Sequence, residues 1–276
     1  IVSTLQKHKH VVGFLGDGVN DAPALRYADV GISVNSGVDI AKESADIILT
    51  KKSLRSTIAG IIEGRTTFSN TTKYILNTVS ANIGNMTTLA IISPLLNFLP
   101  MLPSQILLTN LVSDGPLLSI STDRVDEEEL KKPRNWDVKF IGKFSAFFGG
   151  ISSVFDFITV TAFLFVMGVN TALFRTAWFL ESTLSEIFVT FSIRTKKKFF
   201  RSRPGGILVF SSLIFALVAV FSTYPPVNRF FEFVPMGPDL LLRILAIVLS
   251  YFAVVEIIKH VFYRKFSAPS QGGTRL

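Results

Sequence analysis

A forty-residue stretch without charge constrains the fold of this chain more than any other feature. No Asp, Glu, Lys or Arg occurs between Lys73 and Asp114. A helix that crosses a bilayer needs about 20 mostly apolar residues, so this stretch is too long for one span and fits two. The proline-containing segment 97–103 predicts the turn between them.

Further apolar runs follow this stretch. The predicted spans are 73–97, 103–122, 140–167, 176–193, 206–223 and 239–262. Hydrophobic residues make up 49% of the chain and charged residues only 17%, below the roughly 25% that is usual for soluble domains. The sequence therefore predicts an α-helical polytopic membrane domain of six transmembrane helices over 73–263, in contact with a lipid bilayer.

The distribution of Lys and Arg predicts the orientation of these spans. Most of the Lys and Arg residues lie in 123–139, in 194–203 and in the tail from 259, whereas the other loops between predicted spans hold only Arg175 and Arg229. Because cytoplasmic loops carry an excess of Lys and Arg, we expect cytosolic N- and C-terminal parts and a multi-pass protein of the cell membrane, most simply a prokaryotic plasma membrane.

The net charge of +8 has the same explanation, because the basic residues lie in short loops between apolar runs. We therefore expect no nucleic-acid partner. The chain has no Cys and only three His, which excludes disulfides and thiolate metal sites.

The first fifty residues alternate between strand and helix patterns. Strands are predicted at 10–15, where the strand is expected to be buried, and at 30–34 and 46–49, with helices starting at Asp21 and over 39–45. This order is typical of a doubly wound α/β sheet whose ligands bind at the carboxyl ends of the strands. Asp29 and Asp46, at helix-to-strand joints, are interpreted as structural caps or turn residues.

One long helix is predicted from 53 to about 96, polar in its first part and apolar in its second. The predicted domains are an α/β part over 1–52, a stalk helix over 53–72, the membrane domain and a tail over 264–276, disordered from 267. Because the sequence opens inside an α/β pattern, we expect an N-terminal half that is missing here.

The string GDGVND, at 16–21, is the candidate phosphate loop. Gly16 and Gly18 allow a tight turn and a close backbone approach to a ligand. Asp17 is placed to hold Mg²⁺, which prefers a few carboxylates with waters and phosphate oxygens. Asn20 can donate to a phosphoryl oxygen, and Asp21 can cap the following helix or support the metal.

A second set of polar residues lies inside the predicted spans. The candidates for a transported cation are Asn82, Asn85, Asn110, Ser113 and Asp114. Asn82 and Asn85 are three residues apart and are expected to share a helix face. The Gly115–Pro116 pair is expected to interrupt the next helix and to expose carbonyl groups beside Asp114. An all-oxygen ligand set suits a hard cation such as Mg²⁺ or Ca²⁺.

Four other acidic residues lie within the predicted spans, at Asp156, Glu181, Glu186 and Glu256. Glu181 is expected near a membrane interface, Asp156 is interpreted as a helix-packing partner, and Glu186 is a weaker candidate for ion contact or proton relay. None of these residues is assigned to the ion site.

The stretch GDGVNDAPALRYADVGISVNSGVDIAKESADIIL resembles the end of the phosphorylation domain of P-type ATPases, within the haloacid dehalogenase superfamily. The resemblance implies that Asp17 ligates the catalytic Mg²⁺ and that Asn20 and Asp21 support the phosphoryl site. It also implies that ATP is bound by domains outside this sequence, along with the phosphorylated Asp. The chain alone is therefore expected to be inactive.

The segments SANIGN and TNLVSDGP are similar to the fifth and sixth transmembrane helices of cation-pumping members. By that resemblance Asn82, Asn110 and Asp114 contact the ion, whereas calcium pumps carry Glu at the position of Asn85. KKPRNWDVKFIGKF and GGISSVFDF resemble the magnesium-importing branch, while SDGP is closer to calcium pumps.

The resemblance implies a pump that imports Mg²⁺ through an aspartyl-phosphate intermediate. A pump for Ca²⁺ or another cation stays open as an alternative. A channel or a membrane scaffold with a degenerate regulatory domain is the non-enzyme alternative. The complete set of Asp17, Asn20 and Asp21 argues against the last of these.

Overall fold

The computed structural model describes residues 1–51 and 53–266. The chain divides into two compact units, the first formed by Ile1–Arg65 and the second beginning at Thr66. The segment predicted to be disordered, 267–276, lies outside the described residues.

A three-stranded parallel sheet forms the centre of the first unit, in the order β1-β2-β3. The elements are α1 (Val2–Lys7), β1 (Gly13–Leu15), α2 (Ala22–Tyr27), β2 (Val30–Val34), α3 (Asp39–Glu43) and β3 (Ile47–Leu49). A helix lies between each pair of consecutive strands, as parallel strands require a crossover connection. The predicted alternation of strands and helices is confirmed.

The prediction of a buried first strand is wrong. β1 lies at an edge of the sheet, and both Gly13 and Leu15 are exposed. The central strand β2 instead carries the buried positions, at Gly31, Ser33 and Val34. An edge strand has a neighbour on one side only, so an apolar run alone does not identify the central strand.

Asp29 and Asp46 have the structural roles predicted for them. The Asp29 Oδ2 atom accepts a hydrogen bond from the backbone N–H of Val12 over 2.8 Å. The Asp46 Oδ2 atom accepts one from the backbone N–H of Gly31 over 2.7 Å. Both carboxylates fix strand ends.

Helix α4 runs without interruption over Leu54–Ile92. The predicted long helix is confirmed, although it ends earlier than predicted, at a 3₁₀ turn over Ser93–Leu95 that contains Pro94. Its buried positions are mostly small or polar, at Ser69, Asn70, Lys73, Leu76, Asn77, Ser80, Gly84, Thr88 and Ile92. Such a face is typical of helices that pack in membranes, where small residues let backbones approach closely.

Glycines allow α4 to pack tightly against a later helix. A Cβ atom at Gly84 would lie 2.7 Å from the Cβ of Ser152, and one at Gly149 would lie 2.8 Å from the side chain of Ile83. The Ser153 hydroxyl donates to the carbonyl of Gly84 over 3.0 Å. These contacts join α4 to the helix that contains Gly149.

The remaining helices of the second unit are α5 (Pro103–Ser119), α6 (Glu127–Leu130), α7 (Val138–Val160, continued as a π-helix over Thr161–Val166), α8 (Thr171–Ile193), α9 (Gly206–Ser222) and α10 (Pro238–Phe266). Five of these helices overlap predicted spans, and the short α6 lies in the predicted loop 123–139. Among the described residues, the helices Val138–Val166 and Pro238–Phe266 are long and apolar enough to cross a membrane, and Gly206–Ser222 is apolar but shorter. The number of six spans stays a prediction.

The loops fall into two groups at opposite ends of α5. Beyond its C-terminal end, the Asp123 carboxylate accepts a hydrogen bond from the Gly205 N–H over 2.8 Å. At its N-terminal end, the Gln105 side chain donates to the carbonyl of Phe231 over 2.7 Å. The predicted inward loops thus meet one another at one end of the second unit.

Candidate functional site

The candidate phosphate loop follows the carboxyl end of β1. Gly16 donates its backbone N–H to the carbonyl of Ile32 over 3.0 Å, and the carbonyl of Asp17 accepts the N–H of Val38 over 3.0 Å. Asp17 is half-buried and Asn20 is exposed. The sheet therefore holds the backbone of the loop in place while polar side chains remain accessible.

Asp21 folds back onto the loop. Its Oδ2 atom accepts hydrogen bonds from the backbone N–H groups of Asp17 and Gly18, each over 3.0 Å. Asp21 is the N-cap residue of α2, as predicted, but its side chain makes no capping hydrogen bond to that helix. Its carboxylate instead fixes the turn from which the side chain of Asp17 projects.

Gly16 is needed for this arrangement. A Cβ atom at this position would lie 2.5 Å from the Cβ of Asp21, closer than two carbon atoms can approach. At Gly18 a Cβ would lie 3.4 Å from the Asp21 Oδ2 atom, which is an ordinary contact. Of the two predicted glycines, only Gly16 is required by the position of the Asp21 carboxylate.

The donor chemistry of the loop fits Mg²⁺. Asp17 and Asp21 supply carboxylate oxygens from one turn, and Mg²⁺ is usually held by one or two carboxylates with waters and substrate phosphates. Within residues 1–51 and 53–266, no three His, Cys, Asp or Glu side chains converge as a metal-binding group. The loop therefore offers a partial coordination sphere of the kind that a phosphate ligand completes.

The five residues predicted to bind a transported cation do not all lie together in the structure. Asn85 is half-buried, and its Oδ1 atom accepts a hydrogen bond from the Ser182 hydroxyl over 3.2 Å. Asn82 is exposed and lies away from the cavity that Asn85 lines. The two residues share a helix in the structure but not an environment.

Glu186 connects the candidates on α4 and α5. Its carboxyl group lies near the side chains of Asn85 and Ser113 and within electrostatic range of Asp114. Ser113 is buried, whereas Asp114 is exposed. Asn85, Ser113 and Asp114 thus lie around Glu186, the residue that is predicted from the sequence as a weaker candidate for ion contact.

Asn110 borders a second small cavity, which also contacts Asn85, Ser182 and Trp178. Its backbone carbonyl lies 3.4 Å from the hydroxyl of Ser113. Asn110 therefore lies beside the group formed by Asn85, Ser113 and Glu186.

The predicted interruption at Gly115–Pro116 is wrong. α5 continues through Pro116 to Ser119. Because proline has no N–H group, the carbonyl of Val112 loses its usual helical donor. Gly115 has a packing role instead, since a Cβ there would collide with the ring of Phe215 on α9.

A small buried cavity extends from Asn85 towards α7 and α10. Its volume is about 20 Å³, room for one water molecule or one ion. The acidic residues that line it are Asp156, Glu181 and Glu186, and the lining contains no Lys, Arg or His among the described residues. Three acids and no basic residue therefore border one buried space.

The carboxylates differ in their hydrogen bonding. Asp156 accepts hydrogen bonds from the Trp178 Nε1–H over 2.9 Å and from the Thr88 hydroxyl over 2.8 Å. Glu181 accepts one from Ser185 over 2.8 Å, but its Oε2 atom is buried and has no partner among the described residues. The Oε2 atom of Glu186 is likewise buried and has no hydrogen-bond partner among the described residues.

Glu181 lies at the middle of α8 and is buried, and its place near a membrane interface stays a prediction. Sequence reasoning left Glu181 and Glu186 outside the site. The signal for them was the polar spacing along α8, where Glu181, Ser182, Ser185 and Glu186 fall at i, i+1, i+4 and i+5 on one helix face. Asp156, interpreted as a packing partner, does join α4, α7 and α8 through its two hydrogen bonds.

At the loop end of the second unit, buried acidic residues are paired with basic ones. Asp123 is buried and pairs with Lys73 over 2.7 Å and with Arg194 over 3.5 Å. Burial lowers the pKa of Arg194, and the nearby Asp123 and Asp126 partly offset this. Each of these three charged side chains therefore has a partner of opposite charge nearby.

Two further carboxylates belong to this paired group. Burial raises the pKa of Glu129, but Lys196, Arg134 and Ser69 outweigh it and hold that pKa below its usual value. Burial also raises the pKa of Asp126, but hydrogen bonds from Thr195 and Ser202 outweigh this and lower that pKa below its usual value. Both groups are therefore ionised at neutral pH.

Comparison with known proteins places these features in a family. The family profile described as "Cation transporting ATPase, C-terminus" matches residues 98–261. The chain is 41% identical over 271 residues to "Magnesium-transporting ATPase, P-type 1" of Salmonella typhimurium (strain LT2), and 40% identical over 271 residues to the protein of that name from Escherichia coli (strain K12). Each match covers 96% of this chain and 30% of the relative.

A more distant relative is the "Calcium-transporting ATPase" of Bacillus subtilis (strain 168), which is 31% identical over 257 residues, covering 86% of this chain and 28% of the relative. The chain thus spans less than a third of the length of these relatives. The resemblance to P-type ATPases and to their magnesium-transporting branch is confirmed. The chain belongs to the cation-transporting ATPases and corresponds to the C-terminal region of that family.

Proposed function

We propose that this chain provides a phosphate-binding loop and six membrane spans from the C-terminal part of a P-type pump that imports Mg²⁺ at the expense of ATP. The observation that carries the proposal is the buried acidic cavity, at a helix face shared with Asn85, in a chain that also has the GDGVND loop. The two magnesium-transporting relatives, each matched over 96% of the chain, support the choice of ion.

The membrane placement belongs to this proposal. α9 exposes large apolar side chains along its length, at Ile207, Phe210, Leu213, Leu217 and Phe221. A contiguous apolar face of this kind suits acyl chains better than water. The grouping of the basic loops at one end supports cytosolic N- and C-terminal parts in a cell membrane.

The first unit is proposed to be the end of a haloacid-dehalogenase-like domain. Asp17 and Asp21 would hold the catalytic Mg²⁺, which supplies charge neutralisation to a phosphoryl group, and Asn20 would donate to a phosphoryl oxygen. Gly16 and Gly18 give the loop its close backbone. ATP would be bound by parts of the pump that lie outside this sequence.

The transported cation is proposed to bind where Asn85, Ser113, Asp114 and Glu186 meet, with Asn110 beside them. These groups offer amide, hydroxyl and carboxylate oxygens, the ligands that Mg²⁺ prefers. Asn82, which the family resemblance also implicates, is expected to contribute less because it is exposed. Coupling would arise because ion occupancy and phosphorylation favour different states of α4.

The test uses the full-length pump in proteoliposomes. Asp17→Asn should abolish ATP-driven Mg²⁺ uptake, whereas Asp29→Asn should preserve it, because an amide oxygen can still accept the Val12 N–H. Asn85→Ala should raise the Mg²⁺ concentration for half-maximal uptake by more than Asn82→Ala does. Equal uptake by the Asp17→Asn protein would refute the catalytic assignment.

Calcium transport is the second candidate. The acidic residues Glu181 and Glu186 favour it, because Ca²⁺ takes six to eight oxygen ligands and tolerates irregular geometry. Uptake of Ca²⁺ without uptake of Mg²⁺ by the same proteoliposomes would establish this alternative and exclude the first.

A further inference from the structure

A groove at the loop end of the second unit combines basic and aromatic side chains. Its volume is about 750 Å³. It is bordered by the start of α7, the end of α8, the last turns of α10 and residues 68–76 of α4. Its size is that of a site for a small ligand.

The basic residues of the groove are not equally paired. Arg134 holds Glu129 through two hydrogen bonds of 2.7 Å, and Lys196 lies 3.3 Å from the same carboxylate. Lys139 and Lys143, by contrast, are exposed and have no ion-pair partner among the described residues. Two uncompensated positive charges thus face the groove.

Their position on α7 is unfavourable without a partner. Lys139 and Lys143 are four residues apart on the helix, where like charges repel. Lys139 also lies in the first turn, where the helix dipole disfavours cations. The Asp137 side chain, which also borders the groove, is engaged in capping the Phe140 N–H over 2.8 Å. An anionic group between the two lysines would remove the repulsion.

The rest of the groove is aromatic. The rings of Phe68 and Trp136 lie 4.7 Å apart, and the side chain of Trp136 is 50% exposed. Phe140 stacks on Tyr263 at 6.2 Å, and Phe266 borders the same wall. A ligand that fits must therefore present an anion to the lysines and apolar chains to the rings.

We propose that this groove binds an anionic phospholipid of the inner leaflet, with its phosphate between Lys139 and Lys143 and an acyl chain along Trp136. The proposal rests on the membrane placement proposed above. Basic pockets beside membrane helices on the cytoplasmic side are suited to anionic headgroups, and the aromatic wall distinguishes a lipid from a soluble phosphate.

Quenching of Trp136 tests the proposal. The chain contains two tryptophans, and the emission of Trp136 is obtained as the difference between the protein and its Trp136→Phe variant. Reconstituted in vesicles, this emission should be quenched by brominated phosphatidylglycerol at a several-fold lower mole fraction than by brominated phosphatidylcholine. The Lys139→Gln/Lys143→Gln variant should raise that mole fraction to about the value for brominated phosphatidylcholine, since lysines near a membrane surface attract anionic lipids.

The matched control is Lys131→Gln/Lys132→Gln, which removes the same charge from exposed lysines outside the groove and should leave the quenching curve unchanged. Equal quenching by both lipids, or an equal effect of both double variants, would overturn the lipid site while leaving the membrane placement intact. Displacement of the lipid by millimolar inorganic phosphate would also overturn it, in favour of a soluble phosphate ligand. Failure of the protein to associate with either vesicle would instead overturn the membrane placement.

Discussion

Two regions of the second unit contain buried acidic residues. The regions differ in whether basic side chains lie beside those residues. At the loop end, Asp123 is bonded to Lys73 and lies beside Arg194. In the cavity between α4, α7 and α8, Asp156, Glu181 and Glu186 lie together without a basic residue in the lining. Buried carboxylates are normally paired or coordinate a metal. The first region pairs its carboxylate with basic side chains of the chain itself, whereas the lining of the second contains no basic side chain among the described residues.

The largest effect is expected in the paired region. Asp123→Ala would leave Lys73 and Arg194 buried without their counter-charge and would remove the acceptor of the Gly205 N–H. Breaking a buried pair in this way costs about 3–5 kcal/mol. Thermal unfolding of the detergent-solubilised protein should show the loss, and a change below about 1 kcal/mol would mean that Asp123 does not organise the loops.

The cavity should respond with the opposite sign. Glu186→Gln removes a carboxylate whose Oε2 atom has no partner among the described residues, so the free energy of unfolding without added ion should rise by about 1–3 kcal/mol. The same variant should lose the increase in Tm that Mg²⁺ gives the unchanged protein, because a ligand stabilises only the state that binds it. Destabilisation together with a preserved Mg²⁺ effect would make Glu186 a structural residue like Asp123.

A smaller effect is expected in the pH dependence of stability, and it comes from the paired region. The pKa values of Asp126 and Glu129 are below their usual values in the folded protein, so the unfolded chain binds more protons in the acid range. Their stabilisation is complete above the unfolded pKa values of about 4 to 4.5 and is lost as the pH falls through the lower folded values. Unfolding followed from pH 6 to pH 3 should show a shallower decline for Glu129→Gln than for the unchanged protein. An identical slope would show that the bidentate pair with Arg134 does not form in solution.

The smallest effect lies at the exposed rim of the paired region. Lys197 lies 2.7 Å from Glu128, whose side chain is 61% exposed. Exposed ion pairs contribute little to stability and are screened by salt. Glu128→Gln should therefore change Tm slightly at low ionic strength and not at 1 M NaCl, and it serves as the control for Asp123→Ala in the same assay.

The elements of the fold were predictable because each has a local cause. The apolar runs give the helices of the second unit, and the turns at Gly- and Asp-containing segments give the strand–helix alternation of the first. The edge position of β1 was not predictable from its apolar residues, since strand order depends on which strands pair. The continuity of α5 through Pro116 was also missed, because a proline removes one helical hydrogen bond without always ending a helix in a packed bundle.

The candidate site was predictable only in part. Its residues on α4 and α5 stood out because polar side chains are rare in apolar segments and because of the family resemblance. The contribution of Glu186 depends on how α8 packs against those helices, which no spacing within α8 specifies. The exposure of Asn82 likewise depends on which face of α4 meets α7, and this is set by the contacts of Gly84 and Gly149.

The unbroken α5 has one mechanical consequence. With no N–H at Pro116, the carbonyl of Val112 has no helical bond to lose when the two halves of the helix tilt relative to each other. Bending is therefore least costly at the level of Ser113 and Asp114. A tilt of only a few degrees at that level would carry the Ser113 hydroxyl and the Asp114 carboxylate towards or away from Glu186. The proposed ion pocket could therefore change its width without unwinding of the helix backbone.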